Sequence, residues 1–160
     1  MYKLYFDGSM KGEQLGCGAV VIYKKDKLIY QRAVTLLDRP MSCNVAEYNG
    51  LILGLEYLLS ENLRDEPITV FGDSKLVIKQ MFGHWRIKNG LYKPDALLAH
   101  SLVKKFTNTY GYWIPREQNG EADKLSKSYP KSNNKKGVSQ LDIHQKAYEE
   151  HLNSFNSIPF

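Results

Sequence analysis

Long hydrophobic runs are missing from this sequence. Although 42% of its 160 residues are hydrophobic, no stretch approaches the roughly 20 consecutive apolar residues that a membrane-spanning helix needs. The opening residues become charged early, at Lys3 and Asp7, unlike a secretory leader. We therefore expect a cytoplasmic protein without a membrane anchor, and no feature of the sequence requires more than a monomer.

Cysteine and histidine are also scarce. The two cysteines, Cys17 and Cys43, lack the close spacing of a zinc or redox motif, and two are too few for a disulfide framework. We expect both to serve as small apolar residues. The four histidines show no metal-binding spacing with one another or with cysteine. The sequence therefore gives no support to zinc, thiol or disulfide chemistry.

Positive charge is what the sequence has in excess. Its 22 Lys and Arg residues outnumber its 17 Asp and Glu residues, which gives a net charge of +5 and a pI near 9.1. Clustered basic side chains attract phosphate backbones and release their counterions. The charge therefore favours nucleic acid as a partner, although a merely soluble basic surface explains it equally well.

Alternating apolar and polar residues near the start of the chain predict three strands. They cover residues 2–6, 18–23 and 28–34, and the polar turn 24–27 joins the last two as a hairpin. A longer, glycine-bearing connection is expected from Gly8 to Gly16.

From Asn44 onward the apolar period changes to that of an amphipathic helix. The β-branched run at 68–71 is typical of a buried strand with both faces covered. The remaining predicted elements are helices at 44–59, 74–82, 95–106 and 119–128 and a strand at 110–114. This order predicts the α/β class: a five-stranded mixed sheet, its first three strands antiparallel, with helices on both faces.

The composition shifts near residue 130. Residues 1–129 have the length of one ordinary domain, whereas 130–160 begin with a polar linker and then predict at most a short helix. Within this tail, Gln140-Leu141-Asp142-Ile143 resembles the start of the peptides that dock bacterial proteins on the replication clamp. The alternative is a tail helix that packs on the domain or stays solvated.

Four carboxylates stand at the ends of predicted elements. Asp7 and Asp73 end the first and fourth strands, while Glu47 and Asp123 lie early in the first and last helices. Strand ends and helix ends meet at one edge of an α/β sheet, where ligands bind. Carboxylates packed together there repel one another unless cations neutralise them, and hard oxygen ligands select Mg²⁺ or Mn²⁺. Two such ions could activate a water and stabilise the leaving oxygen in phosphodiester hydrolysis.

Each of these carboxylates also has a purely structural explanation, and taken singly that explanation is the better one. The structural roles would be a turn at Asp7-Gly8, an N-cap at Asp73 before Ser74, a capping box from Asn44 to Glu47 and a favourable helix-dipole contact at Asp123.

The sequences around the carboxylates change this judgement. In order along the chain they are Tyr5-Phe6-Asp7-Gly8-Ser9, Asn44-Val45-Ala46-Glu47-Tyr48-Asn49-Gly50-Leu51, Asp73-Ser74-Lys75-Leu76-Val77 and Asn119-Gly120-Glu121-Ala122-Asp123-Lys124-Leu125. Together, over about residues 1–129, they resemble type 1 ribonuclease H. The resemblance implies a ribonuclease H-like fold and endonucleolytic cleavage of the RNA strand of RNA–DNA hybrids, with 5′-phosphate and 3′-hydroxyl products.

The resemblance also implies roles for individual residues. The catalytic metal ligands would be the four carboxylates, Asp7, Glu47, Asp73 and Asp123, holding two Mg²⁺ or Mn²⁺ ions. Glu47 would in addition contact the attacking water or the RNA 2′-hydroxyl, the group that distinguishes RNA from DNA.

Substrate contacts are implied as well. Asn44 matches a minor-groove contact and Ser42 a DNA-phosphate contact, although either could instead cap a helix. Trp85 could pack against the DNA backbone or be a core anchor. The other implied substrate-binding residues are Gly8, Ser9, Ser74, Asn89 and Arg116.

Two departures from the family pattern concern substrate handling. The loop at 115–120 lacks the histidine that many members use in proton transfer or product release, and it resembles the archaeal-type subgroup. Arg116 would then assist phosphate or product handling, or be an ordinary surface arginine. The connection from Met81 to Pro94 is too short for the basic handle with which several relatives grip the hybrid. Phosphate contact then falls to Lys79, Arg86, Lys88, Lys93, Lys104 and Lys105.

Other functions stay open. A catalytically silent hybrid-binding or interaction module could keep this fold, but such relatives usually have a broken carboxylate set. Additional activity on double-stranded RNA depends on groove fit. An exonuclease of the same superfamily is disfavoured, because it would place a second acid two residues after Asp7, where Ser9 stands.

Overall fold

A five-stranded mixed sheet lies at the centre of the computed structural model, which describes residues 1–131. Its strands are β1 (Tyr2–Lys11), β2 (Leu15–Lys24), β3 (Lys27–Leu36), β4 (Ile68–Gly72) and β5 (Thr109–Trp113). The strand order is β3-β2-β1-β4-β5, with the first three strands antiparallel and β4 and β5 parallel to β1. The predicted sheet is therefore confirmed.

Helices cover both faces of this sheet, as predicted. They are α1 (Cys43–Ser60), α2 (Lys75–Phe82), α3 (Lys93–Val103) and α4 (Gly120–Ser126), with a single 3₁₀ turn at Arg116–Gln118. Leu4 and Phe6 point from β1 into the core beneath α1 and α2. Successive side chains of a strand point to opposite faces, and the hydroxyl of Ser9 and the carboxylate of Asp7 accordingly contact α4 on the other side.

The packing of the main core explains why the apolar spacing of the sequence predicts α1. Leu51, Leu55 and Leu58 follow the three-and-four spacing of one helical face, and all three are fully buried. They pack against Leu4 and Phe6 of β1. Burial of each such side chain contributes about 1.5–3 kcal/mol, so the helix is fixed on the sheet by its apolar face.

The predicted connection from Gly8 to Gly16 is wrong. β1 continues to Lys11 and β2 begins at Leu15, so that the turn between them spans only residues 12–14. Gly12 takes a left-handed φ of 61° in this turn, a conformation that glycine adopts without strain. Gly8 and Gly16 instead pair within the ladder, opposite Gly18 and Met10. Their lack of a side chain accommodates packing neighbours rather than a loop.

The two cysteines differ in their environment. Cys17 is fully buried, as expected of a small apolar residue, whereas Cys43 is exposed. The expectation for Cys43 is wrong, because this residue is the first residue of α1 and lies exposed there.

The tail prediction lies outside the described residues. It comprises the tail helix and the clamp-docking motif at Gln140 to Ile143, and both stay predictions, as do the tail boundary and the cytoplasmic location. Residues Met1–Pro130 form one compact unit. Within residues 1–131, no helix is both long and apolar enough to cross a bilayer.

Candidate active site and metal centre

Three of the four carboxylates meet at one edge of the sheet. Asp7, Glu47 and Asp73 each present a carboxylate oxygen, and these oxygens lie within 4.8 Å of one another. The prediction that Asp7 ends the first strand is wrong, because β1 continues to Lys11 and Asp7 lies within it. The pairing of β1 with β4 ends at Phe6 and Gly72, so Asp7 and Asp73 both follow the last pair of two parallel strands. This edge, where the carboxyl ends of parallel strands open to ligands, is where the site forms.

Glu47 reaches this edge because α1 lies unusually close to β1. A Cβ atom on Gly8 would stand 2.2 Å from the backbone nitrogen of Glu47, and one on Gly50 would stand 2.5 Å from the carbonyl oxygen of Asp7. Only glycine permits such an approach of two backbones. Gly8 therefore has a packing role, and its substrate contact stays a prediction.

Two serines, rather than the neighbouring carboxylates, cap the helices at the site. The Ser74 hydroxyl accepts a hydrogen bond from the backbone N–H of Val77 at 3.3 Å, so the proposed N-cap at Asp73 is wrong. Ser42 accepts one from the N–H of Val45 at 3.2 Å, so the proposed capping box from Asn44 to Glu47 is also wrong. Neither Asp73 nor Glu47 is needed for capping, and their carboxylates are available to a ligand.

Burial and the charges of neighbouring carboxylates disfavour the ionisation of Asp7 and Glu47. Burial and then the charge of Asp73 raise the pKa of Asp7 to about 7. Burial also raises the pKa of Glu47 to about 7, with the charges of Asp7 and Asp73 adding to the shift and a hydrogen bond with Ser74 opposing it. Buried carboxylates are stable in the ionised state when a cation compensates them. The all-oxygen donor set therefore fits a hard divalent ion such as Mg²⁺ or Mn²⁺.

Asp123 stands next to this cluster but is paired with cations. Its carboxylate oxygens bind the Arg116 guanidinium at 3.0 Å and the Lys127 ammonium at 2.8 Å. The hydrogen bond from Lys127 is the largest effect on the pKa of Asp123 and lowers it; burial opposes this, and the hydrogen bond and charge of Arg116 lower the pKa further. Its negative charge is still felt by Asp7, whose pKa it raises. The structure thus assembles three of the four predicted ligands and holds the fourth in ion pairs.

The segment at 83–90 presents basic and aromatic side chains to solvent. Trp85 is 48% exposed, so its alternative role as a core anchor is wrong. Arg86 and Lys88 are exposed beside it. Asn89 accepts a hydrogen bond from Lys93 at 3.0 Å, which occupies the amide oxygen. Nucleic-acid contact by these residues stays a prediction.

A buried glutamine fixes this segment through contacts that no local pattern in the sequence predicts. Gln80 donates from Nε2 to the carbonyl oxygen of Arg86 at 2.9 Å and to the Tyr92 hydroxyl at 3.2 Å. Its Oε1 accepts from the Tyr48 hydroxyl. Tyr48 directly follows Glu47 in α1, so one network joins the carboxylate helix to the basic segment.

Several other predicted residues have internal partners. The Ser9 hydroxyl donates to the Ser126 carbonyl oxygen at 2.5 Å and lies 2.8 Å from the Tyr129 hydroxyl, and Arg116 is held by Asp123. Asn44 is partly exposed near the start of α1.

Trp113 is a further neighbour of the site that the sequence did not reveal. Its indole donates to the Asp73 carbonyl oxygen at 3.0 Å while 49% of the residue is exposed. No local signal marks such a contact, because it joins the end of β5 to the residue after β4. It fixes the backbone at Asp73 from the neighbouring strand.

Comparison with known proteins identifies the family of this chain. The model of the family described as reverse transcriptase-like matches residues 5–129. The bifunctional protein Rv2228c of Mycobacterium tuberculosis is 33% identical over 126 residues, which are 75% of this chain and 33% of that protein. Ribonuclease HI of Halobacterium salinarum is 32% identical over 124 residues, 76% of this chain and 60% of that protein. The chain thus spans about a third of the mycobacterial relative.

Solved structures show the same architecture. The ribonuclease H domain of Rv2228c superposes with a TM-score of 0.71 at 28% identity, covering 80% of this chain and 97% of that one. Ribonuclease H1 of Halobacterium salinarum gives 0.69 at 28% identity, covering 78% and 93%. LC11-RNase H1, solved in complex with RNA/DNA hybrid, gives 0.70 at 29% identity, covering 81% and 96%. The fold is therefore that of ribonuclease H, as the motifs predicted. The chain belongs to the reverse transcriptase-like family, and the relatives to which it is similar bear ribonuclease H names.

Proposed function

We propose that this chain is an endoribonuclease that hydrolyses the RNA strand of RNA–DNA hybrids with the help of Mg²⁺ or Mn²⁺, two ions to a site. The observation that carries the proposal is the convergence of the Asp7, Glu47 and Asp73 oxygens within 4.8 Å, at the sheet edge where ligands bind. The ribonuclease HI relative and the hybrid-bound LC11 structure support the choice of substrate.

Each carboxylate has a distinct task in this proposal. Bound divalent ions would supply charge for the phosphate and lower the pKa of a water. Asp7 lies in β1 and Asp73 directly follows the adjacent parallel strand β4, so the sheet fixes the backbone of both residues. Glu47, fixed in α1, accepts a hydrogen bond from the RNA 2′-hydroxyl or orients the attacking water. The water oxygen bonds to phosphorus while the bond to the 3′ oxygen breaks, leaving a 5′-phosphate and a protonated 3′-hydroxyl.

Asp123 and Arg116 act together in the proposal. To become the fourth metal ligand, Asp123 must give up its ion pairs with Arg116 and Lys127 and bind the divalent metal ions instead. The exchange releases the Arg116 guanidinium, which can then bind a phosphate of the substrate or product. Because Arg116 and Lys127 are largely exposed, water and salt screen both ion pairs, so the exchange is energetically modest.

Cleavage specificity is tested with end-labelled RNA–DNA hybrid, duplex DNA, duplex RNA and single-stranded RNA, each incubated with Mg²⁺, Mn²⁺ or EDTA. We expect metal-dependent cleavage of the RNA strand of the hybrid. Cleavage of duplex RNA at a comparable rate would extend the substrate range. Hybrid binding without cleavage under any metal condition would identify a silent binding module and overturn the proposal.

The grip on the hybrid is predicted to depend on Gln80. The Gln80→Leu variant loses the hydrogen bond that holds the carbonyl of Arg86, which frees the segment carrying Trp85. We expect the dissociation constant for hybrid to rise about fivefold to tenfold, since a net hydrogen bond is worth about 1 kcal/mol. Fluorescence anisotropy of labelled hybrid with the Asp73→Asn background, which prevents cleavage, measures this constant.

The matched control for this prediction is Gln31→Leu, on the exposed face of β3. It makes the same chemical change away from the site and should leave affinity unaltered. Equal affinity of the Gln80→Leu and Gln31→Leu proteins would contradict the role of the network.

A further inference from the structure

Ser126 places a buried hydroxyl between the first and the fourth carboxylate residue. The residue is fully buried, and its Oγ lies 2.8 Å from Oδ2 of Asp7 and 2.7 Å from the backbone carbonyl oxygen of Asp123. Asp7 itself is only 5% exposed. The hydroxyl is therefore a protein group within hydrogen-bond distance of a carboxylate at the centre of the site.

Helix geometry alone does not require this arrangement. A serine in a helix can satisfy its hydroxyl by donating to the carbonyl oxygen three residues earlier, as Ser101 of α3 does to Leu98 at 2.7 Å. Ser128, two residues after the end of α4, does the same to Leu125 at 2.7 Å. Ser126 has the same bond within reach but also faces a carboxylate. One hydroxyl proton serves one acceptor at a time, and an ionised carboxylate is the stronger acceptor.

Hydrogen bonds at both ends of α4 hold this helix, and with it the Ser126 hydroxyl, against β1. Asn119, just before the helix, donates from Nδ2 to the carbonyl oxygen of Phe6 at 2.9 Å. At the other end, Ser9 donates to the carbonyl oxygen of Ser126 at 2.5 Å. Both bonds tie α4 to β1 on either side of Asp7. The position of the Ser126 oxygen relative to the Asp7 carboxylate is thereby fixed by the fold.

We propose that Ser126 is a positioning residue that fixes the rotation of the Asp7 carboxylate by holding Oδ2, and so presents the other oxygen to the metal ion. This inference rests on the proposed metal-dependent function. Outer partners of ligating carboxylates commonly govern metal affinity by tenfold to a hundredfold. Ser126 would thus act on metal binding without touching the substrate or the ion.

The test is metal binding to the protein without nucleic acid. Free Mn²⁺ is measured by its electron paramagnetic resonance signal during titration of wild type, Ser126→Ala and Ser128→Ala. We expect Ser126→Ala to weaken Mn²⁺ affinity about tenfold and Ser128→Ala, which removes a similar but exposed hydroxyl, to leave it unaltered. Ser126→Cys, of similar size but a weaker donor, should fall between wild type and Ser126→Ala, and circular dichroism establishes that each variant is folded.

The outcomes separate this inference from the proposed function. Equal Mn²⁺ affinity of wild type and Ser126→Ala would overturn the positioning role, as would a wild-type protein that binds no Mn²⁺. If Ser126→Ala does not fold, Ser126→Cys decides, and unaltered affinity in that variant overturns the role. A wild-type protein that binds Mn²⁺ but cleaves no hybrid would overturn the proposed function, while the affinity comparison would still judge Ser126.

Discussion

Asp73→Asn is expected to lower the rate of hybrid cleavage by about a thousandfold or more, equivalent to about 4 kcal/mol of transition-state stabilisation. Asparagine keeps the shape of the side chain but removes the negative charge and one metal-binding oxygen from the cluster with Asp7 and Glu47. Charge stabilisation of this kind is commonly the largest contribution to catalysis. Single-turnover cleavage of end-labelled hybrid at saturating Mg²⁺ measures the loss.

The control for this prediction is Asp65→Asn, which makes the same charge change at an exposed position between α1 and β4. It should retain wild-type activity. Thermal unfolding of Asp73→Asn should show a folded protein at least as stable as wild type in EDTA, because one repelling charge has been removed. Wild-type cleavage by a folded Asp73→Asn protein would falsify the mechanism.

The second large effect is on stability in the absence of metal. Asp7 has its pKa raised from an ordinary 3.8 to about 7, so the folded protein keeps a proton that the unfolded chain releases near pH 4. The protonated Asp7 contributes its full stabilisation of the folded state below pH 4, and this contribution is lost as the pH rises towards 7. In EDTA, the free energy of unfolding should therefore fall as the pH rises from about 4 to about 7 and change little above that. A pKa shift of this size corresponds to a change of at most about 4 kcal/mol in the free energy of unfolding.

Two comparisons isolate the contribution of Asp7. Urea unfolding of Asp7→Asn in EDTA should show a weaker fall over the same pH range, and the part that remains comes from Glu47, whose pKa is also raised to about 7. Added Mg²⁺ or Mn²⁺ should restore the stability of the wild-type protein at pH 8 by compensating the ionised carboxylates. Asp123 does not interfere, because its pKa is lowered. Its stabilising contribution is present above pH 4 and is lost only as the pH falls below that range. An identical pH slope in wild type and Asp7→Asn would contradict the prediction.

Some elements of this fold leave a local pattern in the sequence and others do not, for a physical reason. The apolar face of α1, with Leu51 and Leu55, and the short buried strand β4 are recorded in local periodicity, because burial imposes it residue by residue. The glycines of β1 and β2 led to wrong predicted boundaries for these strands. Glycine marks both turns and close backbone approaches, and only the packing of α1 shows that Gly8 belongs to the second kind.

The two capping explanations show the same limit. Asp73 and Asn44 have suitable side chains, but the residues that cap the two helices are Ser74 and Ser42. A shift of one or two residues in a helix start decides which side chain caps and which stays available. Sequence alone rarely fixes helix ends to that accuracy.

The sequence by itself determined the fold class, the family and the identity of the carboxylates, because periodicity and ordered motifs are local properties of the chain. Tertiary structure decided which of these carboxylates meet, with Asp7, Glu47 and Asp73 together and Asp123 in ion pairs. It also decided that Ser126 faces Asp7 across 119 positions of sequence. Such contacts depend on the distance between backbones that the core brings together, and no short stretch of sequence records that distance.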